Sequence, residues 1–224
     1  MSEEWQAQER RYQSNSSLRT FTKIEIPSWQ DIAGITQHPW MSRQRLENEY
    51  AVLTYIGKMT NIPVPRPYSL ESVDGCLTLT TEWIDGVPFD DLDPGIRSET
   101  YLDQYVRSFI LPELGALTSH ISGTLKGTVI PPRRVFERFP GQWVPQTSGE
   151  IFHFTHNDLS QHNFLCNPTT GKVMAVIDWE FAGFYPTYFE APFWTKPFIE
   201  IEDEEEEVER LLKFLGPSPP ESER

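Results

Sequence analysis

The sequence predicts an α+β chain of two lobes, and three patterns carry that expectation. Residues 21–26 (Phe-Thr-Lys-Ile-Glu-Ile) alternate apolar with polar residues, as a half-buried strand does, and the stretch CLTLTTEWI at 76–84 also reads as a strand. Leu46, Tyr50, Leu53 and Tyr55 or Ile56 recur at helical spacing. Phe164 to Cys166 and Lys172 to Ile177 are strand-like runs on either side of the turn sequence NPTTG, which makes them a hairpin.

Composition agrees with a folded chain. Its 224 residues are 38% hydrophobic and 13% aromatic, enough to build a core and too rich for a disordered, collagen-like or low-complexity class. The formal net charge is −14, from 19 Lys plus Arg against 33 Asp plus Glu. An acidic surface without a basic patch repels phosphate backbones and anionic lipid, so no nucleic acid and no membrane partner is expected. No apolar run approaches the roughly 18 residues of a bilayer crossing, and MSEEWQAQERR has no apolar stretch after its charges, so a cytoplasmic location is expected. Cys76 and Cys166 lack C-x-x-C spacing and read as reduced, buried thiols, with no disulfide-linked partner.

Taken in chain order, residues 1–20 are polar and are expected to be poorly ordered. The strand at 21–26 ends at Pro27. Ser42 is placed to cap a helix running to about Lys58, with Gly57 as its stop and Glu47 and Glu49 on its polar side. TNIPVPRPY is extended by its prolines and leads into the strand at 76–84, which DGVP breaks. Helical spacing from 98 to 122 is interrupted or bent at Pro112. Prolines and glycines dominate 123–149. Residues 199–224 carry ten acids against three bases, half of the excess charge, and read as a solvated stretch or a short helix with Val208, Leu211, Leu212 and Leu215 on its apolar side. The expected division is 1–84, 85–198 and an acidic tail at 199–224.

The hairpin carries the chemical clue. If residue 166 pairs with 172, then 163 faces 175 and Asp178 faces 160, which gathers Asp158, Asn163 and Asp178 at one end. Two carboxylates and a carboxamide are hard oxygen donors suited to Mg²⁺, which binds through one or two carboxylates and phosphate oxygens. His156-Asn157-Asp158 with Asn163 spells H-x-D-x-x-x-x-N, and Asp178-Trp179-Glu180 stands where phosphoryl-transfer sites carry a metal-binding D-F-G. Trp179, Phe181, Phe184, Tyr185, Tyr188 and Phe189 read as core packing beside this site.

HNDLSQHN, IDWEFAGFYP and TNIPVPRP together resemble the aminoglycoside phosphotransferase and choline kinase-like family, most closely a fungal branch of it, over roughly residues 42–198. The resemblance implies a two-lobed protein-kinase-like fold with a truncated N-terminal lobe, and ATP- and Mg²⁺-dependent transfer of phosphate to the hydroxyl of a small molecule. It implies Asp158 as catalytic base, Asn163 and Asp178 as magnesium ligands and His156 as support of the catalytic loop. Glu49 would pair with a phosphate-binding lysine, and Glu82, Trp83 and Ile84 would form the hinge that meets adenine. Lys23, in its strand-like context, is the best candidate for that lysine, because Lys58 lies after the helix.

The N-terminal part departs from the family pattern. A phosphate-covering loop needs glycines, whose backbone N–H groups approach oxygens closely, yet only Gly34 and Gly57 precede residue 75. Twenty-two residues before Lys23 leave scant room for two strands and a loop; SNSS is either a hydroxyl-lined cradle or an unstructured terminus. A pseudokinase or binding scaffold is therefore the alternative. A remoter alternative is a zinc- or iron-dependent hydrolase built on His153, His156, Asp158 and His162, although an extended IFHFTH points His153 and His156 to opposite sides.

Overall fold

The computed structural model describes residues 2–7, 9–30, 32–139, 141–197 and 205–216. The N-terminal lobe comprises β1 (Ser2–Gln6), β2 (Arg10–Asn15), β3 (Thr20–Glu25), a two-stranded ladder of β4 (Trp29–Gln30) and β5 (Thr36–Gln37), helix α1 (Ser42–Met59), β6 (Pro67–Val73) and β7 (Cys76–Glu82). Its sheet has five strands in the order β1-β2-β3-β7-β6, each pair antiparallel.

This corrects the expected disorder of residues 1–20. The lobe is short in chain, but it keeps two strands and a turn ahead of Lys23. The polar segment is held by one aromatic per strand: Trp5 stacks on Tyr12 at 5.5 Å between ring centroids, and Phe21 lies 6.0 Å from both. Cross-strand aromatic pairs of this kind stabilise a sheet whose other residues are polar. The β6–β7 hairpin turns at Asp74 and Gly75, both at positive φ, the geometry that an Asp-Gly dipeptide favours.

Helix α1 starts at Ser42, but Ser42 does not cap it. Met41 precedes the helix in a left-handed conformation, and the Ser42 hydroxyl and carbonyl both accept from Arg10 instead. Gly57 does not stop the helix either. The end comes at Thr60, whose N–H and hydroxyl both bond the Ile56 carbonyl.

The C-terminal lobe comprises β8 (Val87–Pro88), α2 (Glu99–Tyr105), α3 (Leu111–Gly115), β9 (Thr118–Ile121), α4 (Arg133–Phe136), β10 (Thr147–Thr155), β11 (Phe164–Cys166), β12 (Val173–Val176), β13 (Gly183–Tyr185) and α5 (Glu205–Leu215). Two three-stranded sheets form, β12-β11-β8 and β13-β10-β9. The helix expected over 98–122 ends at Gly115, and 118–121 is a strand instead, paired with β10. Ahead of Pro112, which lacks an N–H, the chain widens into a π turn over Val106–Ile110.

The 164–177 hairpin forms with its register shifted by two residues. Phe164 faces Val176 and Leu165 faces Ala175, so the ladder extended by two positions sets Asp178 opposite 162 rather than 160. A shift of two keeps every side chain on its expected face.

The main core joins Val52, Leu53 and Ile56 of α1 to Phe152, Phe154 and Phe164 of the C-terminal lobe. Trp179, Phe181, Phe184, Tyr185 and Phe189 are buried, with Tyr188 packed against them. Of the two readings of the acidic run, the short helix forms: in α5 Val208, Leu211 and Leu215 are buried against Val135, Trp143, Tyr185 and Phe189, with Leu212 packed beside them, and Glu207 pairs with Arg134 at 2.8 Å. The rest of the tail, 198–204 and 217–224, lies outside the described residues. Cys166 is buried, whereas Cys76 is only half-buried; both are free thiols. Among the described residues no helix is long and apolar enough to cross a membrane.

Candidate active site

Strand β10 delivers the first half of the site. After Thr155 the chain turns through Asn157 at φ 71°, and this turn is pinned from three sides. The Glu190 carboxylate accepts the backbone N–H groups of His156 and Asn157. The Asn157 side chain donates to the Phe181 carbonyl at 2.7 Å and accepts from the Thr155 hydroxyl. His156 is fully buried: its Nε2 bonds the Ile177 carbonyl at 2.9 Å, its Nδ1 accepts the Asp158 N–H, and its ring lies 4.4 Å from that of Trp179. Those partners assign the proton to Nε2, and burial pushes the imidazole pKa down, which favours this neutral form.

Asp158 emerges half-buried from this turn, with one carboxylate oxygen accepting the Ser160 hydroxyl at 2.7 Å. Asn163 spends its amide nitrogen on the Asp158 carbonyl (2.8 Å) and Ser160 Oγ (3.3 Å). Its amide oxygen is thereby the atom left for a ligand.

The second half comes from β3, α1 and the turn after β12. Lys23 Nζ lies 2.8 Å from both carboxylate oxygens of Glu49 and 2.6 Å from Asp178 Oδ1. Asp178 takes φ 65°, and its neighbour Ile177 donates its N–H to the Asn163 carbonyl, so the two halves are joined directly. Burial alone would lower the Lys23 pKa, but Asp178 and Glu49 outweigh it and hold the ammonium charged. Burial would raise Asp178, yet the ammonium keeps its carboxyl below the usual range. Burial wins at Glu49, whose carboxyl is pushed up to about 7 despite Lys23. One cation between a buried and a half-buried carboxylate thus leaves Asp178 the firmly ionised one.

Beside this pair opens a cavity of about 310 Å³ with mostly apolar walls, bordered by Trp5, Phe21, Lys23, Glu49 and the backbone segment 82–84. Glu82, Trp83 and Ile84 therefore share one cavity with Lys23 and Glu49.

The remaining expectations are redistributed. SNSS spans the end of β2 and the start of the β2–β3 turn, whose Arg19 carbonyl accepts the Trp83 N–H, so it lies at the 82–84 end and not near Asp178. His153 turns away to the Gly115 carbonyl at 2.7 Å, and both ring nitrogens of His156 are occupied. Among the described residues the one acid or imidazole group compact enough for a metal is Glu49, Asp178 and Glu180, without a histidine, which overturns the zinc- or iron-hydrolase constellation. Glu180 is itself taken by Arg10 and Arg45, at 3.1 and 3.2 Å.

Glu190 and the Arg10–Glu180–Arg45 contacts were not foreseen. For Glu190 a signal existed: a lone carboxylate within YFEAPFW is an acid in an otherwise aromatic, buried stretch. For the arginines there was none, because their partners lie far away in sequence.

Fold and site define a two-lobed, kinase-like scaffold with a lysine-bridged acidic centre. Residues 129–222 match the family described as Phosphotransferase enzyme family, APH. The fold is similar to that of aminoglycoside-3'-phosphotransferase of type VIII (TM-score 0.51, 15% identity, 96% of this chain and 94% of that one). It is also similar to a thermostable mutant of aminoglycoside phosphotransferase APH(4)-Ia in its apo form (TM-score 0.50, 14% identity, 84% and 70%). No curated protein sequence matches the chain. The match over residues 129–222 and the likeness of fold point the same way, toward phosphotransferases of this kind of fold.

Proposed function

We propose that the protein is an ATP- and Mg²⁺-dependent phosphotransferase acting on a hydroxyl of a small molecule. The observation that carries this reading is the Lys23 ammonium bridging Glu49 and Asp178 beside an apolar cavity. Such a centre holds a cation-binding carboxylate and a phosphate-binding cation at fixed separation, which is most of what phosphoryl transfer requires.

In this reading the cavity takes the base of the nucleotide, with 82–84 along its edge, and Lys23, held by Glu49, takes its phosphates. Asn163 Oδ1 and the Asp178 carboxylate fit a hard divalent ion: both are oxygen donors, and one carboxylate plus one carboxamide suits Mg²⁺ bound mainly through phosphate oxygens. Bound there, Mg²⁺ supplies charge neutralisation of the phosphates. Asp158 takes the proton of the acceptor hydroxyl on the oxygen that Ser160 leaves free, while His156 and Glu190 fix the turn that aims it. The reading extends to 1–84 and 85–198 as the two lobes that close on the nucleotide, and to a cytoplasmic enzyme.

Calorimetric titration with ATP tests it. Binding on the order of 0.1 to 1 mM that needs Mg²⁺ and vanishes in Asp178→Ala supports the proposal. A pseudokinase is the second reading, favoured by the absence of glycine from the β1–β2 turn; no binding at millimolar ATP with Mg²⁺ decides for it. A metabolite screen for ATP consumption, with Asp158→Ala as control, would identify the acceptor.

A further inference from the structure

We infer that Arg10 is a positioning residue for the nucleotide phosphates, latching the glycine-free β1–β2 turn onto α1 and the Asp178–Glu180 segment. The inference rests on the phosphotransferase reading above.

The cleft-facing side of the N-terminal sheet has an order. Trp5 and Phe21 border the cavity, Tyr12 pairs with Lys23 in register, and Arg10 follows Tyr12 on the same face two residues on. Ala7 and Glu9, which flank the β1–β2 turn, thus lie at the far end of this face, beyond Lys23. Ala7 and Glu9 carry Cβ atoms, so the turn lacks the freedom by which glycines settle around phosphate oxygens. Its position is set by side chains instead.

Arg10 is 3% exposed. It donates to Ser42 at the start of α1, through the hydroxyl and the carbonyl, and to Glu180 at 3.1 Å. Glu180 also accepts from Arg45 at 3.2 Å, and Arg45 reaches back to Glu9 at 2.6 Å. Arg10, Glu180, Arg45 and Glu9 form a chain of two cations and two anions whose ends are neighbours in sequence, and through it β2, α1 and the segment bearing Asp178 are tied together. Asn48 of α1 fastens the same segment by the carbonyls of Glu180 and Ala182, at 3.1 and 2.9 Å. A charge-balanced, largely buried chain of ion pairs favours one geometry, and loss of Arg10 leaves the buried Glu180 with one partner fewer.

The test combines kinetics with hydrogen exchange of the amides of residues 3–12, measured on the whole chain without substrate. In Arg10→Gln the exchange should accelerate at least tenfold, and the KM for ATP should rise about tenfold while kcat and the acceptor KM stay within about twofold. Arg10→Lys should not restore the wild-type KM, because one ammonium cannot reach Ser42 and Glu180 in a forked geometry. Should Arg10→Gln fail to fold, Glu9→Gln removes the other tie from a more exposed side chain and should give the same signature at smaller amplitude. Unchanged exchange overturns the latch. Faster exchange with unchanged KM for ATP overturns its role toward phosphate. A wild type that binds no nucleotide overturns the phosphotransferase reading and the phosphate role with it, while the exchange result still decides the latch.

Discussion

Lys23 Nζ and Asp178 Oδ1 lie 2.6 Å apart although 155 positions separate them in the chain. The contact joins the middle strand of the N-terminal sheet to the turn after the C-terminal hairpin, and Glu49 closes it from α1. Lys23 thus faces the buried carboxylate of Glu49 and the half-buried one of Asp178. Lys23→Met should cost about 3 to 5 kcal/mol at pH 8, as expected when one partner of a buried pair is removed. The loss should shrink toward pH 5, where Glu49 takes up a proton, and Glu49→Gln added to the variant should recover part of it. Urea denaturation at the two pH values reads both effects.

Under the proposed phosphotransferase reading, Asp158 contributes to chemistry rather than to packing. It is half-buried, and its side chain accepts the Ser160 hydroxyl. Asp158→Asn should lower turnover by roughly 10² to 10⁴ while the melting temperature moves little. Turnover equal to wild type in this variant would end the assignment of the base.

Glu190 gives the fold a pH dependence. Burial pushes its carboxyl up to about 7 from the ordinary 4.5, although the N–H groups of His156 and Asn157 oppose the shift. Between those values the folded protein holds a proton that the unfolded chain releases. The contribution is therefore full below pH 4.5 and is lost as pH rises through 7. Glu190→Gln should flatten the stability profile over this interval by on the order of 2 kcal/mol. Thermal unfolding from pH 4.5 to 8 measures it; a profile identical to wild type would show that Glu190 is ionised throughout.

Helix α5 should behave as part of the core. Leu211 is fully buried, so Leu211→Ala should cost about 2 to 5 kcal/mol. Glu205→Gln, on its exposed face, should stay within about 0.5 kcal/mol. Chemical denaturation of the two variants separates a docked helix from a solvated one.

Much of the C-terminal lobe was legible because its signals are local. The alternation around NPTTG needs only its own residues to make a hairpin, and the H-x-D-x-x-x-x-N spacing sits on one turn. The register slipped by two because NPTTG closes with an irregularity at Cys166, which spacing alone does not reveal. The first two strands were illegible for a different reason: they are polar, and what holds them is the contact of Trp5, Tyr12 and Phe21 from three separate strands.

The sequence by itself determined the strand at Lys23, helix α1, the 164–177 hairpin, the family resemblance and the candidate site residues: Asp158, Asn163 and Asp178 on local motifs, Glu49 on a helix, and Lys23 in a strand. Tertiary structure alone decided that Lys23, Glu49 and Asp178 meet, that Glu190 holds the Asp158 turn, and that Arg10 and Arg45 close on Glu180. The physical reason is range. Periodicity and turn chemistry act over a few residues and leave their mark in the local pattern, whereas a buried charge finds its counter-charge wherever packing of the two lobes delivers one.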